Sequence, residues 1–136
     1  MGTKRVVLDT NIFISALGWN GKPKRIFEQC IDGKLELITS PEQMNELRRV
    51  MEYPKFNFTE DQKERLVSII MEIATMVEIF GKVNIIKDDP DDNMIVETAI
   101  VGNAGYIVTG DPHLLQLKEF AKIRIVTAND FLEAEQ

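Results

Sequence analysis

Acidic side chains occur where predicted strands end and predicted helices begin. Asp9 follows the apolar run VVL, Asp111 follows the strand-like segment YIVTG, and Asp92 lies near the start of the helical pattern DPDDNMIVETAIVG. Glu46 lies within a fourth segment, SPEQMNELRRVMEYP. Carboxylate oxygens are hard ligands that suit Mg²⁺ or Mn²⁺, and an ion held by them could activate water for attack on a phosphodiester. The acids therefore raise the hypothesis of a metal-dependent hydrolase.

The chain offers few alternatives to carboxylate chemistry. Cys30 is its single cysteine and His113 its single histidine. Disulfides, Cys/His zinc sites and most Ser-His or Cys-His nucleophile systems are therefore excluded. We interpret His113 as structural or as a peripheral contact, because its neighbours offer no partner base.

The charge balance limits how the chain could bind nucleic acid. It carries 16 basic and 22 acidic side chains, a net charge of −6, which argues against broad electrostatic attraction. A metal ion could neutralise an acidic cleft, and a few basic side chains could then hold phosphates. Trp19 beside cations could stack a base, although a loop anchor among solvated charges is the simpler interpretation. The candidate substrate contacts are Trp19, Lys22, Lys24, Arg25, Arg48 and Arg49.

The pattern of apolar residues predicts a single domain spanning residues 1–136, with 44% hydrophobic residues to form its core. Strands alternate with helical patterns, which predicts an α/β fold, a three-layer α/β/α sandwich with a mainly parallel central sheet. No apolar stretch approaches the ~18 residues that suggest a membrane helix, and we expect a cytoplasmic protein without a membrane partner. The predicted strands are 6–8, 35–39, 77–80, 106–109 and 123–126.

Helix start signals locate three of the helices. Ser40 is the expected cap of one, with Gln43 at the capping-box position and Pro54 at its end. Thr59 and Gln62 repeat the same device in the next helix. Its predicted buried face carries Leu66, Ile69, Ile70 and Ile73.

The third helix begins at Pro90, with Asp89 as its cap and Gly102 near its end. Asp92 shares a stripe with apolar residues, whereas Asp91 points elsewhere. A carboxylate at the head of a buried stripe is costly unless it is capped, paired or bound to metal. The stripe contains Ile95, Val96, Ala99 and Ile100.

Ligands of parallel sheets bind beyond the carboxyl ends of the strands, which gives these acids a common location. Plain helix capping is the alternative for Asp9, Asp89 and Asp111. For Asp92 the alternative is an acid at the third helical position that the helix dipole favours, and for Glu46 it is solvent exposure. The helical wheel does not decide whether Glu46 or Glu42 is the acid that this helix would contribute to the site. Capping does not explain why acids from scattered parts of the chain would converge on one edge, so the joint pattern favours a site.

Four segments together resemble the PIN domain, and specifically the prokaryotic toxin branch of that family. They are VVLDTNIFISAL, TSPEQMNELRRVM, DDPDDNMIVETAIVGNAGYIVTGDPHLL and IRIVTANDFL, and they cover nearly the whole chain. The resemblance implies a metal-dependent ribonuclease whose catalytic acids surround Mg²⁺ or Mn²⁺. Matching the motifs assigns the catalytic and metal-binding roles to Asp9, Glu46, Asp92 and Asp111, with Asn11 and Thr109 as supporting polar residues.

The resemblance also implies partners. They are an RNA substrate, cleaved by metal-activated water, together with a cognate antitoxin and a second copy of the chain in a homodimer. One alternative is a catalytically silent PIN-like module that binds RNA or protein. Another is a Mg²⁺-binding receiver-like signalling domain, which would need paired acids after the first strand and a lysine after the last; VVLDTN and IVTAND supply neither.

Overall fold

A computed structural model describes residues 3–86 and 89–135, so Asp88 of the DDPDD motif lies outside the described residues. Strands and helices alternate along the described chain, with a single 3-10 turn at Pro54–Phe56. The strands are β1 (Lys4–Leu8), β2 (Leu35–Thr39), β3 (Thr75–Met76), β4 (Tyr106–Val108), β5 (Glu119–Phe120) and β6 (Ile123–Val126). The helices are α1 (Thr10–Gly18), α2 (Lys22–Ile31), α3 (Pro41–Met51), α4 (Glu60–Ile73), α5 (Pro90–Val101), α6 (Pro112–Leu115) and α7 (Ala128–Glu135).

The strands form one sheet in the order β3-β2-β1-β4-β6-β5. All neighbours are parallel except β5, which pairs antiparallel with β6. The chain fills one side of β1 with β2 and β3 and then crosses to the other side with β4 and β6. The order therefore reverses between β1 and β4, where Leu8 pairs with Val108, and a crevice opens beyond the strand ends at such a reversal.

Alternating side chains of the sheet supply two separate cores. Val6 and Leu8 pack with α1 to α4 and α7 on one face, whereas Val7 packs with α5 and α6 on the other. Successive side chains of a strand point to opposite faces of the sheet, and this alternation separates the two cores. The predicted α/β sandwich with a mainly parallel sheet is confirmed.

The helix starts follow the capping signals with one difference. Thr59 and Gln62 form the full capping box of α4, and Ser40 accepts a hydrogen bond from the Gln43 amide at the start of α3. The Gln43 side chain does not complete a second box. It is fully buried, accepts a hydrogen bond from Thr39 Oγ1 at 2.8 Å and donates to the Leu8 carbonyl, so it ties α3 to two strand ends.

The predicted strand 77–80 is wrong in position. The ladder between β2 and β3 comprises Ile38 with Thr75 and Thr39 with Met76. Beyond Thr39 the partner strand turns into α3. The Val77 amide still donates to the Thr39 carbonyl at 2.9 Å, and the pairing of the two strands ends there. Strand β4 ends one residue before the predicted Thr109, and the short β5 was not predicted.

Helix α5 packs its predicted stripe against the sheet, with one exception. Ile100 is exposed, as is the neighbouring Val101, and both lie in the last turn of α5. Close packing continues at Gly102, where an added Cβ would come within 2.3 Å of the Ile38 side chain. Among the described residues, no helix is both long and apolar enough to cross a membrane.

Candidate metal centre

Three aspartates cap three helices at the carboxyl edge of the sheet. Each uses its Oδ1 atom: Asp9 accepts from the Thr10 amide at 2.7 Å, Asp89 from the Asp92 amide at 3.1 Å, and Asp111 from the His113 amide at 2.8 Å. Helices that follow parallel strands begin at the same edge, and their caps therefore meet there. Capping thus accounts for the convergence of these three acids, contrary to what we expected from the sequence pattern. It does not account for Asp92 or Glu46, which cap no helix.

Asp9 is held by the end of the neighbouring strand β4. Its Oδ2 accepts a hydrogen bond from Thr109 Oγ1 at 2.7 Å, and the same hydroxyl accepts from the Asp111 amide at 3.0 Å. Burial raises the pKa of Asp9, the two hydrogen bonds from Thr109 and Thr10 oppose that rise, and the negative charges of Asp111 and Asp89 add to it. Thr109 therefore lies between the first and last predicted acids and orients both.

Among these acids, Asp92 has the surroundings that most favour a bound cation. Asp92 is 5% exposed, and its Oδ2 is buried without a hydrogen-bond partner among the described residues. Burial, and then the nearby Asp111 and Asp89 carboxylates, together raise the pKa of Asp92 to about 8. A buried carboxylate oxygen without a partner is costly, and a divalent ion coordinated by hard oxygens would satisfy it.

The ligand atoms nearest to Asp92 form a mixed group. One atom each from Asp89, Asp92, Asp111 and His113 lies within 4.8 Å of the others, a spacing that could hold a metal ion. His113 Nδ1 lies 3.4 Å from Asp111 Oδ1, so Asp111 is the partner base that the sequence interpretation of His113 did not identify. The spacing D-P-H after a strand could have predicted this contact. An aspartate that caps a helix accepts the amide hydrogen of the residue two positions later, which brings that residue close to the aspartate carboxylate.

Glu46 lies on the other side of Asp9. It accepts a hydrogen bond from the Thr10 hydroxyl, which lowers its pKa. Burial raises the pKa more strongly, Asp91 and Asp9 add to the rise, and the result is a pKa of about 7. Arg49 lies 3.9 Å from Glu46 and 3.6 Å from Asp91. Asp91 thus faces α3, which explains why its direction differs from that of Asp92.

The acids line a small cavity at the sheet edge. Its volume is about 210 Å³, and it adjoins a larger cavity of about 730 Å³ with which it shares Asp89 and Asp91. Glu42 is exposed and lines the larger cavity, whereas Glu46 lines the smaller one. Asn11 lies exposed on the wall of the smaller cavity. The acids lining this cavity are Asp9, Glu46, Asp89, Asp91, Asp92 and Asp111.

The predicted substrate contacts are dispersed. Trp19 is 58% exposed at the end of α1, which is about 13 Å long at 1.5 Å per residue and begins beside Asp9. Lys22 donates to Asn129, and Lys24 donates to Asn20 at 3.2 Å. Arg25 and Arg48 are exposed. Arg49 is the member of this set whose ion pairs reach acids of the cavity.

The fold and the site define an α/β protein that has a mainly parallel sheet and a group of acids at the point where the strand order reverses. Residues 5–113 match the family model of the PIN domain, so the chain belongs to the PIN domain family. The resemblance noted in the sequence is therefore confirmed.

One relative and two solved structures are similar to the chain over most of its length. The chain is 29% identical over 141 residues to the uncharacterized protein MJ1680 of Methanocaldococcus jannaschii, covering 95% of this chain and 90% of the relative. It shares the fold of a chain of VapBC2 from Rickettsia felis, which was crystallised bound to a DNA fragment from their promoter, with a TM-score of 0.61, 16% identity and coverage of 89% and 96%. PAE2754 from Pyrobaculum aerophilum has a TM-score of 0.64, 12% identity and coverage of 98% and 91%.

Proposed function

We propose that this single PIN domain is a Mg²⁺- or Mn²⁺-dependent endoribonuclease. The observation that carries the proposal is the unpartnered, buried Oδ2 of Asp92 among further carboxylates at the sheet edge. PIN domains are generally nucleases, and the family assignment supports the same chemistry. Helix capping alone would leave no reason to bury an additional acid beside the caps.

The four acids that the PIN resemblance selects are the proposed metal-binding and catalytic set. Asp92 and Asp111 belong to the closely spaced ligand group, and Asp9 and Glu46 line the same cavity. A divalent ion bound there would offset the negative charge of the acids, polarise a phosphoryl oxygen and lower the pKa of a water molecule. Thr109 and Asn11 would support this set, Thr109 through the hydrogen bonds that orient Asp9 and Asp111.

Glu46 is suited to move a proton near neutral pH. Its raised pKa of about 7 lets the carboxylate accept a proton at that pH and release it again. In the proposed hydrolysis, a water oxygen bonds to phosphorus and gives its proton to Glu46, while the bond from phosphorus to the leaving ribose oxygen breaks. Solvent returns a proton to that oxygen.

Arg49 is the proposed phosphate contact. It is exposed and lies beside Glu46 and Asp91, so a guanidinium could exchange those partners for a phosphate oxygen. Trp19, Lys22, Lys24, Arg25 and Arg48 would bind RNA farther from the acids, since none of them belongs to the residues lining the small cavity.

RNA cleavage by purified protein tests this function. We expect cleavage of single-stranded RNA in Mn²⁺ and its loss in EDTA, and we expect Asp9→Asn and Glu46→Gln to reduce the rate by orders of magnitude. Glu42→Gln is the matched control, since it removes the same charge from an exposed position one turn earlier and should be mild. Cleavage that persists in EDTA, or a Glu42→Gln defect larger than that of Glu46→Gln, would contradict the proposal. Metal binding without cleavage would favour the silent interaction module.

We further propose that the chain is the toxin of a toxin-antitoxin pair, active on cytoplasmic RNA and bound by a cognate antitoxin. The toxin-branch resemblance and the fold shared with a VapBC2 chain support this. Growth arrest on expression, relieved by co-expression of a neighbouring gene, would test the toxin role.

We also propose a homodimer, because apolar side chains such as Phe80, Val101 and Met71 remain exposed. Light scattering should report a dimer at micromolar concentration, and a monomer would contradict this proposal.

A further inference from the structure

We propose that His113 is a nitrogen ligand of the metal centre, together with Asp89, Asp92 and Asp111, and that it sets the preference of the centre among divalent ions. This inference rests on the proposed metal centre and specifies its ligands. The four side chains each offer an atom within 4.8 Å of the others. The buried Oδ2 of Asp92, which has no partner among the described residues, is a second and independent sign that this group would bind a cation.

The local backbone holds His113 beside the acids. Asp111 accepts the His113 amide hydrogen at 2.8 Å, and Pro112 between them fixes its own φ angle. The imidazole Nδ1 then lies 3.4 Å from Asp111 Oδ1, close enough for both atoms to contact one ion. The side chain is 69% exposed, so its ring can turn toward an ion without breaking a packed core.

Asp89 fits the same ion through the oxygen that does not cap the helix. Its Oδ1 accepts the Asp92 amide hydrogen at 3.1 Å, which leaves Oδ2 free of that bond. Asp9 is placed differently, since its Oδ1 accepts from Thr10 and its Oδ2 from Thr109. Asp89 and His113 therefore extend the acid set implied by the PIN resemblance.

A nitrogen ligand changes which ions the centre favours. Imidazole suits borderline metals such as Zn²⁺, Co²⁺ and Ni²⁺, whereas Mg²⁺ prefers oxygen ligands and keeps several waters. Three carboxylates and a neutral imidazole also leave less excess negative charge around a doubly charged ion than four carboxylates would. The wild type should therefore favour Mn²⁺ and Zn²⁺ over Mg²⁺ more strongly than a centre without His113.

Calorimetric titration of tag-free protein with Mg²⁺, Mn²⁺ and Zn²⁺ tests this preference. We expect His113→Ala to weaken Zn²⁺ and Mn²⁺ binding by about tenfold or more, with a much smaller effect on Mg²⁺. Gln116→Ala is the matched control, because Gln116 is exposed directly after the same short helix and is not one of the four grouped ligand residues. An equal loss for all three ions would show that His113 only positions Asp111, and no loss would also overturn the inference.

The single histidine gives a direct spectroscopic readout. On Zn²⁺ binding, the ¹⁵N resonance of one imidazole nitrogen should move to the position of a metal-bound nitrogen, and Asp92→Asn should reduce that response. Unchanged imidazole resonances with bound Zn²⁺ would overturn this inference and leave the proposed nuclease intact. If no ion binds to the wild type, the inference and the proposed function fail together.

Discussion

The caps at the sheet edge occupy one oxygen of each capping aspartate. Asp9 gives its second oxygen to Thr109, whereas Asp92, which caps nothing, has a buried oxygen without a partner among the described residues. Capping and metal binding are thus two interpretations of the acids at this edge. The residue that separates the two interpretations is Asp92, because capping requires no acid at its position.

The raised pKa values at the site give a prediction for metal-free protein. Asp92 at about 8 and Glu46 at about 7 hold protons in the folded state that the unfolded chain has already lost. Between about pH 4 and pH 8 the folded state therefore binds more protons, so the free energy of unfolding should fall as pH rises through this window. Thermal melts in EDTA should give a lower Tm at pH 8 than at about pH 5.5.

Asp92→Asn should weaken the dependence of Tm on pH, because Asp92 has a higher pKa than Glu46 and the substitution removes it. Asp32→Asn, which changes an exposed aspartate at the end of α2, should leave the profile unchanged. Stability that rises across the same window would show that the acids are stabilised as anions without metal.

At the scale of elements, α5 organises the segment that leads into the site. The Glu97 side chain is 4% exposed and accepts hydrogen bonds from the amides of residues 80–83 at 2.7, 3.2, 3.0 and 3.4 Å. Asn93, one turn earlier, accepts from the Ile85 and Ile86 amides. Two polar residues of one helix thus supply acceptors for the backbone amides of residues 80–83, 85 and 86, which belong to no strand.

Glu97→Gln should loosen this segment. The substitution replaces one acceptor oxygen by a donor group facing backbone N–H groups, and we expect a loss of about 2–3 kcal/mol in stability. Amide hydrogen exchange of residues 80–83 should accelerate, while exchange in the β1–β4 ladder changes only with global stability. Glu78→Gln, at an exposed position of the same segment, should have little effect. Unchanged exchange at residues 80–83 would show that Glu97 does not hold them.

Local signals predicted elements well where the chain itself supplies both partners. The Thr59 and Gln62 capping box, the Pro90 helix start and the Asp89 cap depend on residues a few positions apart. The misplaced third strand depends on where β2 ends, and the burial of Gln43 depends on the Leu8 carbonyl, which lies 35 positions away in sequence. Such contacts are set by tertiary packing and have no local sequence signature.

At the scale of the whole molecule, the reversal of strand order between β1 and β4 brings the distant acids together. The alternation of strands and helices was sufficient to predict a parallel sheet and the edge at which its acids would lie. It did not predict that Asp89, Asp91 and His113 would join them, because side-chain direction at a helix start depends on the cap geometry. Thus the convergence of Asp9, Asp92 and Asp111 at the sheet edge was accessible from the sequence, whereas the positions of Asp89, Asp91 and His113 beside them required the fold.

The most direct measurement is the thermal melt of wild type and Asp92→Asn, each in EDTA and then in millimolar Mn²⁺. An ion that binds only the folded site should raise the wild-type Tm, and a ligand at ~100 times its dissociation constant adds ~2.7 kcal/mol. Metal-free Asp92→Asn should be as stable as the wild type or more stable, because it no longer buries an unpartnered carboxylate, and its response to Mn²⁺ should be weaker. Equal responses of the two proteins to Mn²⁺, or no response of the wild type, would contradict a metal centre built around Asp92.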